Sequence, residues 1–141
     1  MFSKNESRLL REEFWIAFGK SYPRKWILYK TKIKGLSFKF HFGLKNAMVS
    51  LDIDGDLENR IQLWEKLMAL KSILKDEFIP EIIFEEYHIL ENHKEISRIY
   101  IKKSQVSIHN KNSWRETMEF LNDKMATFEE FFTEYQDILN P

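Results

Sequence analysis

Hydrophobic and polar residues alternate most regularly between residues 26 and 54. In the middle of this stretch an apolar set and a polar set fall on opposite faces of one strand: Leu36, Phe38, Phe40 and Phe42 against Ser37, Lys39 and His41. Gly35 and residues 43–46 supply the glycine and asparagine that tight turns need. The residues before and after these turns continue the alternation, less regularly on the N-terminal side. The pattern therefore predicts a three-stranded antiparallel meander.

Three other stretches have the spacing of an amphipathic helix. The first follows a Ser3–Glu6 capping box, the second covers about residues 57–76 behind an Asp56 N-cap, and the third runs from a Ser113–Glu116 capping box to about residue 139. A further capping-box match, Thr127 with Glu130, allows a break in the last helix. We therefore predict three helices, at the two ends of the chain and between groups of strands.

Two β-rich runs, 81–90 and 95–103, flank a polar segment that suits a hairpin loop, and residues 105–109 form a candidate short strand. The element order is then α-β-β-β-α-β-β-α. This order predicts an α+β fold, a two-layer sandwich in which an antiparallel sheet of about five strands carries three helices on one face. With 141 residues, 43% of them hydrophobic, and no low-complexity linker, we expect a single domain over residues 1–141.

Charge and cysteine content narrow the function classes. The 22 basic and 22 acidic residues cancel, so any binding of nucleic acid or anionic membrane needs a local patch. The chain has no cysteine, which excludes disulfides, thiolate metal sites and a cysteine nucleophile. It also lacks a signal-like N-terminus and any apolar run of the roughly 20 residues that span a bilayer. We expect a cytoplasmic protein without a membrane contact.

No motif in the chain indicates catalysis, and we predict no catalytic residue, no bound metal and no cofactor. No Asp or Glu is followed two positions later by Lys, so the (D/E)-x-K element of restriction-type nucleases is missing. The acidic residues 52–58 suggest a calcium loop, but the apolar pattern from Leu57 predicts a helix there instead. His41 and His88 could meet across the sheet beside Asp52 or Glu86, although solvated histidines explain the pattern as well.

The polar face of the predicted sheet is the main candidate binding surface. Its residues are Lys30, Lys32, Lys39, His41, Arg98, Tyr100 and Lys102. Basic side chains with an aromatic ring on an open sheet could follow a nucleic-acid backbone or an acidic protein segment. The simpler interpretation is a solvated outer face, since acidic residues interrupt the basic field and lysines deter edge-to-edge aggregation.

The C-terminal helix carries a heptad-like seam rich in Phe and Met. A seam of this kind more often lies across a sheet than in a coiled coil. Phe131 beside Phe132, and Phe14 beside Trp15, give more aromatic surface than one stripe needs. We therefore predict a homodimer that forms through part of this surface.

Several stretches resemble a small, uncharacterised bacterial family, domain of unknown function 4268. They are REEFWIAFGKSY, WILYKTKIKG, LENRIQLWEKLMALKSIL, SRIYIKK and NSWRETMEFL. Family members stand alone or follow nuclease-like domains, and the family has no assigned catalytic residues. The function we expect is a non-enzymatic, dimeric protein-interaction module. The alternative, which the resemblance implies, is an accessory nucleic-acid-binding domain related to nuclease-associated proteins.

Overall fold

The computed structural model describes residues 2–140. Its elements are, in chain order, α1 (Lys4–Ser21), β1 (Leu36–Phe42), β2 (Asn46–Ile53), α2 (Leu57–Ala69), α3 (Lys71–Ile73), a π-helical turn (Leu74–Phe78), β3 (Ile83–Ile89), β4 (Glu95–Ser104), a 3₁₀ turn (Lys111–Ser113) and α4 (Trp114–Leu139). The predicted α+β class and antiparallel sheet are confirmed. The part of the chain described has four strands and four α-helices, however, not the predicted five and three.

The sheet has the strand order β1-β2-β4-β3, and every neighbouring pair is antiparallel. Phe40 of β1 lies opposite Val49 of β2, which in turn lies opposite Ile101 of β4. A bulge between Glu85 and His88 interrupts the pairing of β3 with β4. This order makes β1 and β3 the two edges of the sheet, and both are open to partners in principle.

The core lies between one face of the sheet and the three long helices. Phe38, in the middle of β1, is fully buried on this face, and its ring packs against Phe128 and Phe132 of α4 at centroid distances of 5.8 and 5.6 Å. On α1, Phe14 is likewise fully buried and contacts Phe42 at 4.6 Å. Burial of each such ring contributes about 1.5–3 kcal/mol. The alternation in the sequence thus predicts correctly which face of these strands is apolar.

Local signals at two helix starts and one turn are confirmed. The Ser3 hydroxyl accepts a hydrogen bond from the Glu6 amide, and the Glu6 carboxylate accepts one from the Ser3 amide. The Asp56 carboxylate accepts a hydrogen bond from the Asn59 amide at the start of α2. Gly35 has a φ of 78°, a conformation that favours glycine, and a side chain there would collide with Asn59, whose Oδ1 would lie 2.5 Å from the added Cβ. The two helix caps and the positive φ of Gly35 are local features, which is why the sequence shows them.

The predicted first strand of the meander is wrong. Residues 22–35 form a loop without a strand, which we call the β1 loop. Leu28 and Lys32 have φ values of 47° and 63°, which a strand cannot contain. The Thr31 hydroxyl bonds to the carbonyl groups of Ile33 and Leu36, so a side chain takes the place of a strand ladder. The alternation around Lys30 and Lys32 is therefore not strand pleating, and these lysines are not on the sheet.

The candidate strand at 105–109 is also wrong. Gln105 has a φ of 63°, so the chain turns sharply at the end of β4. Val106 and Ile108 are buried, and the Ile108 amide bonds to the Gly43 carbonyl, but no ladder forms. The alternation here comes from a turn whose two apolar side chains point into the core.

The helices differ from the prediction at three places. The second helix ends at Ala69, and α3 with the π-helical turn continues it to Phe78. Ser113 does not cap α4, because its hydroxyl bonds to the backbone of Ser107 and Asn110 instead. The possible break in α4 is absent, since Thr127 lies inside the helix and its hydroxyl bonds to the Asp123 carbonyl one turn earlier. For Ser113 and Thr127, a hydrogen-bond partner outside the capping-box motif decides the geometry.

Candidate functional site

The face of the sheet that no helix covers is the open face. From β1 to β3 it carries Ser37, Lys39 and His41, then Met48, Ser50 and Asp52, then Ile96, Arg98, Tyr100 and Lys102, then Glu85 and His88. Five of the seven residues predicted for this surface are on it: Lys39, His41, Arg98, Tyr100 and Lys102. The other two, Lys30 and Lys32, are in the β1 loop. The sheet pairing therefore brings most of the predicted set together.

A buried ion pair joins the two central strands on this face. Asp52 and Arg98 lie directly opposite each other, and two hydrogen bonds connect them, Nε to Oδ1 at 2.8 Å and Nη2 to Oδ2 at 2.9 Å. The Asp52 side chain is 0% exposed and that of Arg98 is 7% exposed. Burial alone would raise the pKa of Asp52. The hydrogen bonds and charge of Arg98, with smaller help from Ser50 and Lys39, hold this pKa below its usual value.

The ion pair extends through hydrogen bonds to the edge strand β3. Arg98 Nη1 is 3.1 Å from His88 Nε2, and His88 Nδ1 is 2.8 Å from a Glu85 oxygen. The other Glu85 oxygen accepts a hydrogen bond from the Tyr100 hydroxyl. This bond lowers the pKa of Glu85 most strongly, followed by the bond to His88. Partial burial and the Glu85 contact raise the pKa of Tyr100 to about 12.

On the β1 side, His41 and Lys39 complete the arrangement. His41 Nε2 is 2.9 Å from the Ser50 hydroxyl, and Lys39 Nζ is 3.3 Å from Asp52. Burial, with the nearby Arg98 charge, lowers the pKa of His41 to about 4. His41 is therefore neutral at physiological pH. It does not bond to His88, because the Asp52–Arg98 pair separates the two histidines.

The network is largely satisfied by its own members. Arg98 has three nitrogen atoms in hydrogen bonds to Asp52 and His88, and Lys39 is paired with Asp52. A phosphate that bound here would have to displace a buried carboxylate, which is costly. Within residues 2–140, no three His, Cys, Asp or Glu side chains lie close enough together to hold a metal ion. The charged groups of the open face thus bond mainly to one another, and these bonds connect side chains of all four strands.

A concentration of unpaired positive charge lies in the residues around β1, next to this face. Residues 14–51 contain eight of the 22 basic residues and none of the 22 acidic ones. Six of these eight are exposed and have no ion-pair partner in the described part of the chain. They are Lys20, Lys25, Lys30, Lys32, Lys34 and Lys45, and we call them the basic margin. The sequence carries this signal as a long acid-free stretch, which the zero net charge conceals.

A buried glutamate on α4 holds the β1 loop in place. Glu129 is 6% exposed, and it accepts one hydrogen bond from Arg24 and another from the Ile27 amide, the latter at 2.6 Å. The Arg24 guanidinium also lies 4.0 Å from the centre of the Trp26 ring. The Leu28 carbonyl accepts a hydrogen bond from the Phe38 amide on the sheet edge. The loop that carries four of the six lysines of the basic margin is therefore attached to both layers of the fold.

An open groove of about 440 Å³ lies where this loop meets β1. Its lining is mostly aromatic and aliphatic, with two polar side chains from the open face: Trp15, Leu28, Tyr29, Phe38, Lys39, Phe40 and His41. Tyr29 is 74% exposed at its rim. A larger space of about 620 Å³ between the loop and α4 includes Glu129, but both oxygens of this carboxylate are already bonded. The groove beside β1 is therefore the better candidate binding site.

These observations define the class of protein. It is an α+β protein with a four-stranded antiparallel sheet, a self-neutralised open face and a basic margin along one edge. The sequence profile of a domain of unknown function (DUF4268) matches residues 10–136, so the chain belongs to this family. Searches of curated proteins and of solved structures gave no significant match. No helix among residues 2–140 is long and apolar enough to cross a membrane.

Proposed function

We propose that this chain is a non-enzymatic interaction module that binds an acidic segment of a partner protein at the β1 edge. The observation that carries the proposal is the basic margin, a set of exposed lysines without ion pairs, beside an apolar groove. Unpaired cations that surround an apolar site attract an oppositely charged partner and speed its association. The apolar groove then supplies contacts that are much less sensitive to salt.

The groove favours a protein partner over a nucleic acid. Single-stranded nucleic acids are held by several stacked aromatic rings above a positive groove. Here the groove presents Tyr29 as its strongly exposed ring, while Trp15 and Phe40 are half-buried. The basic margin contains only lysines, and the nearby Arg24 is engaged with Glu129. These features suit carboxylates and apolar side chains of a peptide better than phosphates and bases.

Nucleic-acid binding is the second candidate, and the acid-free stretch from residue 14 to 51 favours it. Fluorescence anisotropy distinguishes the two. The probes are labelled peptides of about ten residues that alternate Glu with an apolar residue, and labelled DNA and RNA, each titrated at about 50 mM and about 200 mM salt. We expect the peptides to bind at both salt concentrations and the nucleic acids to bind weakly at low salt only. Tighter binding of nucleic acid than of any acidic peptide would reverse the order of the two candidates.

Dimer formation stays a prediction, but the aromatic residues on which it was based do not support it. Phe131 and Phe132 are both buried inside the monomer, where they contact Phe78 and Phe38. Phe14 is also fully buried. The aromatic surplus in the sequence thus fills the core and is not left for a second copy. Gel filtration with light scattering at high concentration tests the dimer directly, and a monomer at every concentration would exclude it.

A further inference from the structure

Half of the outer edge of β1 is unpaired. In this strand the odd-numbered residues direct their backbone groups to β2, and the even-numbered ones direct theirs outward. The β1 loop occupies the outward groups of Leu36 and the amide of Phe38. The Phe38 carbonyl and both backbone groups of Phe40 have no hydrogen-bond partner within residues 2–140. A strand laid beside Phe40 could therefore exchange two hydrogen bonds with it.

The groove lies along this unpaired part of the edge. Phe38 and Phe40 belong to its lining, together with Trp15 from α1 on the helix side and Lys39 and His41 on the open face. In a sheet, residues opposite each other point to the same face. A residue of an added strand that lies opposite Phe40 would thus enter the apolar side of the groove. Its two neighbours would lie opposite Lys39 and His41 and would point to the open face.

The lysines near the groove determine which polar residues an added strand can carry. Lys30 and Lys32 of the basic margin lie in the loop that borders the groove, and Lys45 lies in the turn at the other end of β1. The pKa of His41 is too low for it to add positive charge near neutral pH. Acidic side chains at alternate positions would be attracted by the unpaired lysines of the basic margin, while basic ones would be repelled. The edge thus fits a segment in which acidic and apolar residues alternate.

We propose that an extended segment of a partner protein, with alternating acidic and apolar residues, adds to the outer edge of β1 as a fifth strand. The inference rests on the proposed function and names the binding mode. The partner residue opposite Phe40 donates its N–H to the Phe40 carbonyl and accepts from the Phe40 N–H. The Phe38 carbonyl accepts a hydrogen bond from the next partner amide that faces β1. The added strand ends there, because the Phe38 amide already donates to the Leu28 carbonyl.

A second copy of this chain is the obvious rival occupant. The β3 edge carries Glu85 and Glu86 with exposed Ile83, Tyr87 and Ile89, so it too combines acidic and apolar residues. A β3 edge that docked on the β1 edge of the next copy would leave both outer edges free, and the assembly would grow without closing. The bulge in β3 also disturbs the flat edge that such growth requires. These points favour a different protein as the occupant.

The experiment measures anisotropy with labelled peptides of about eight residues that alternate Glu with Val, Ile or Phe. A matched set carries N-methyl groups on alternate amides, which removes the ladder donors on one peptide edge but keeps charge and side chains. A Lys–Val peptide is the charge control. We expect at least one acidic peptide to bind, its N-methylated form to lose about tenfold or more in affinity, and the Lys–Val peptide not to bind. Hydrogen exchange should show slower exchange at the Phe40 amide in the complex.

Two variants locate the site on the protein. The double substitution Lys30→Glu with Lys32→Glu should weaken peptide binding by about fivefold or more, whereas Lys75→Glu, exposed in the π-helical turn, should leave it unchanged. Equal binding of the methylated and unmethylated peptides would overturn strand addition but leave the proposed function standing. Absence of binding by every acidic peptide would overturn both. Growth of the protein into large assemblies without peptide, suppressed by Tyr87→Lys, would assign the edge to a second copy and overturn the proposal.

Discussion

The two edges of the sheet differ in charge, support and geometry. The β1 edge borders the basic margin, and the β1 loop closes the half of this edge that precedes Phe40. The β3 edge is rich in glutamate, contains a bulge and exposes Tyr87 by 66% and Ile89 by 56%. An edge with a bulge and charges is protected against pairing, whereas a flat edge beside a groove is suited to it. The comparison shows that a chain with zero net charge can still concentrate unpaired lysines along one edge of its sheet.

The largest effect is expected where the two halves of the sheet join. Arg98→Met removes the partner of a fully buried carboxylate, so we expect a loss of about 3–5 kcal/mol in the free energy of unfolding, measured by chemical denaturation. Lys102→Met, exposed on the same strand, is the control and should change stability by less than about 0.5 kcal/mol. Addition of Asp52→Leu to Arg98→Met should restore part of the loss, because the unpaired charge is gone. If Arg98→Met costs no more than its control, the pair does not hold the sheet together.

The second effect is a pH dependence of stability that comes from His41, on the β1 side of the open face. His41 has a pKa of about 4 in the folded protein, while an unfolded histidine titrates near 6.5. Between these values the unfolded chain binds a proton that the folded protein does not bind. The contribution of His41 to stability is therefore fully present above about pH 6.5 and is lost as the pH falls towards 4. The loss amounts to about 3 kcal/mol over this range. His41→Gln, which keeps a hydrogen-bonding group near Ser50, should flatten this part of the stability curve.

The histidine of the β3–β4 hairpin provides the matched control. His93 is exposed and has a φ of 69°, which asparagine tolerates well. His93→Asn should therefore leave the pH dependence of stability unchanged. An equally steep curve in His41→Gln and in the original protein would show that another group causes the pH effect.

The smallest of the three effects concerns the support of the β1 edge alone. Glu129→Gln removes the charge that Arg24 and the Ile27 amide contact, and we expect it to cost about 1–3 kcal/mol. Hydrogen exchange should become faster in residues 22–35 and remain unchanged in β3. The affinity for the acidic peptides should fall, because Leu28 and Tyr29 of the loop line the groove and would no longer be held in place. Glu130→Gln, the exposed neighbour, should affect neither measurement; faster exchange in β3 as well would show that Glu129 supports the whole fold.

The open face illustrates what a single sequence can and cannot predict about a site. The alternation in β1 and β4 correctly predicts that Lys39, His41, Arg98 and Tyr100 share one face. It cannot predict that Asp52 lies opposite Arg98, because strand order and register come from contacts across the chain. That one pairing changes the interpretation of the face from a free basic surface to a neutralised network. The candidate site consequently moves to the adjacent edge.

The sequence by itself determined the α+β class, the apolar face of the sheet, the start of α1 and the start of α2. These features depend on residues a few positions apart, through pleat, helix periodicity and side-chain caps. Only the tertiary structure decided the form of residues 22–35. Glu129, more than 90 residues away, bonds to the loop, and the Phe38 amide bonds to Leu28. A segment with a weak local preference takes the conformation in which distant groups satisfy its backbone, and here that conformation is a loop along the sheet edge.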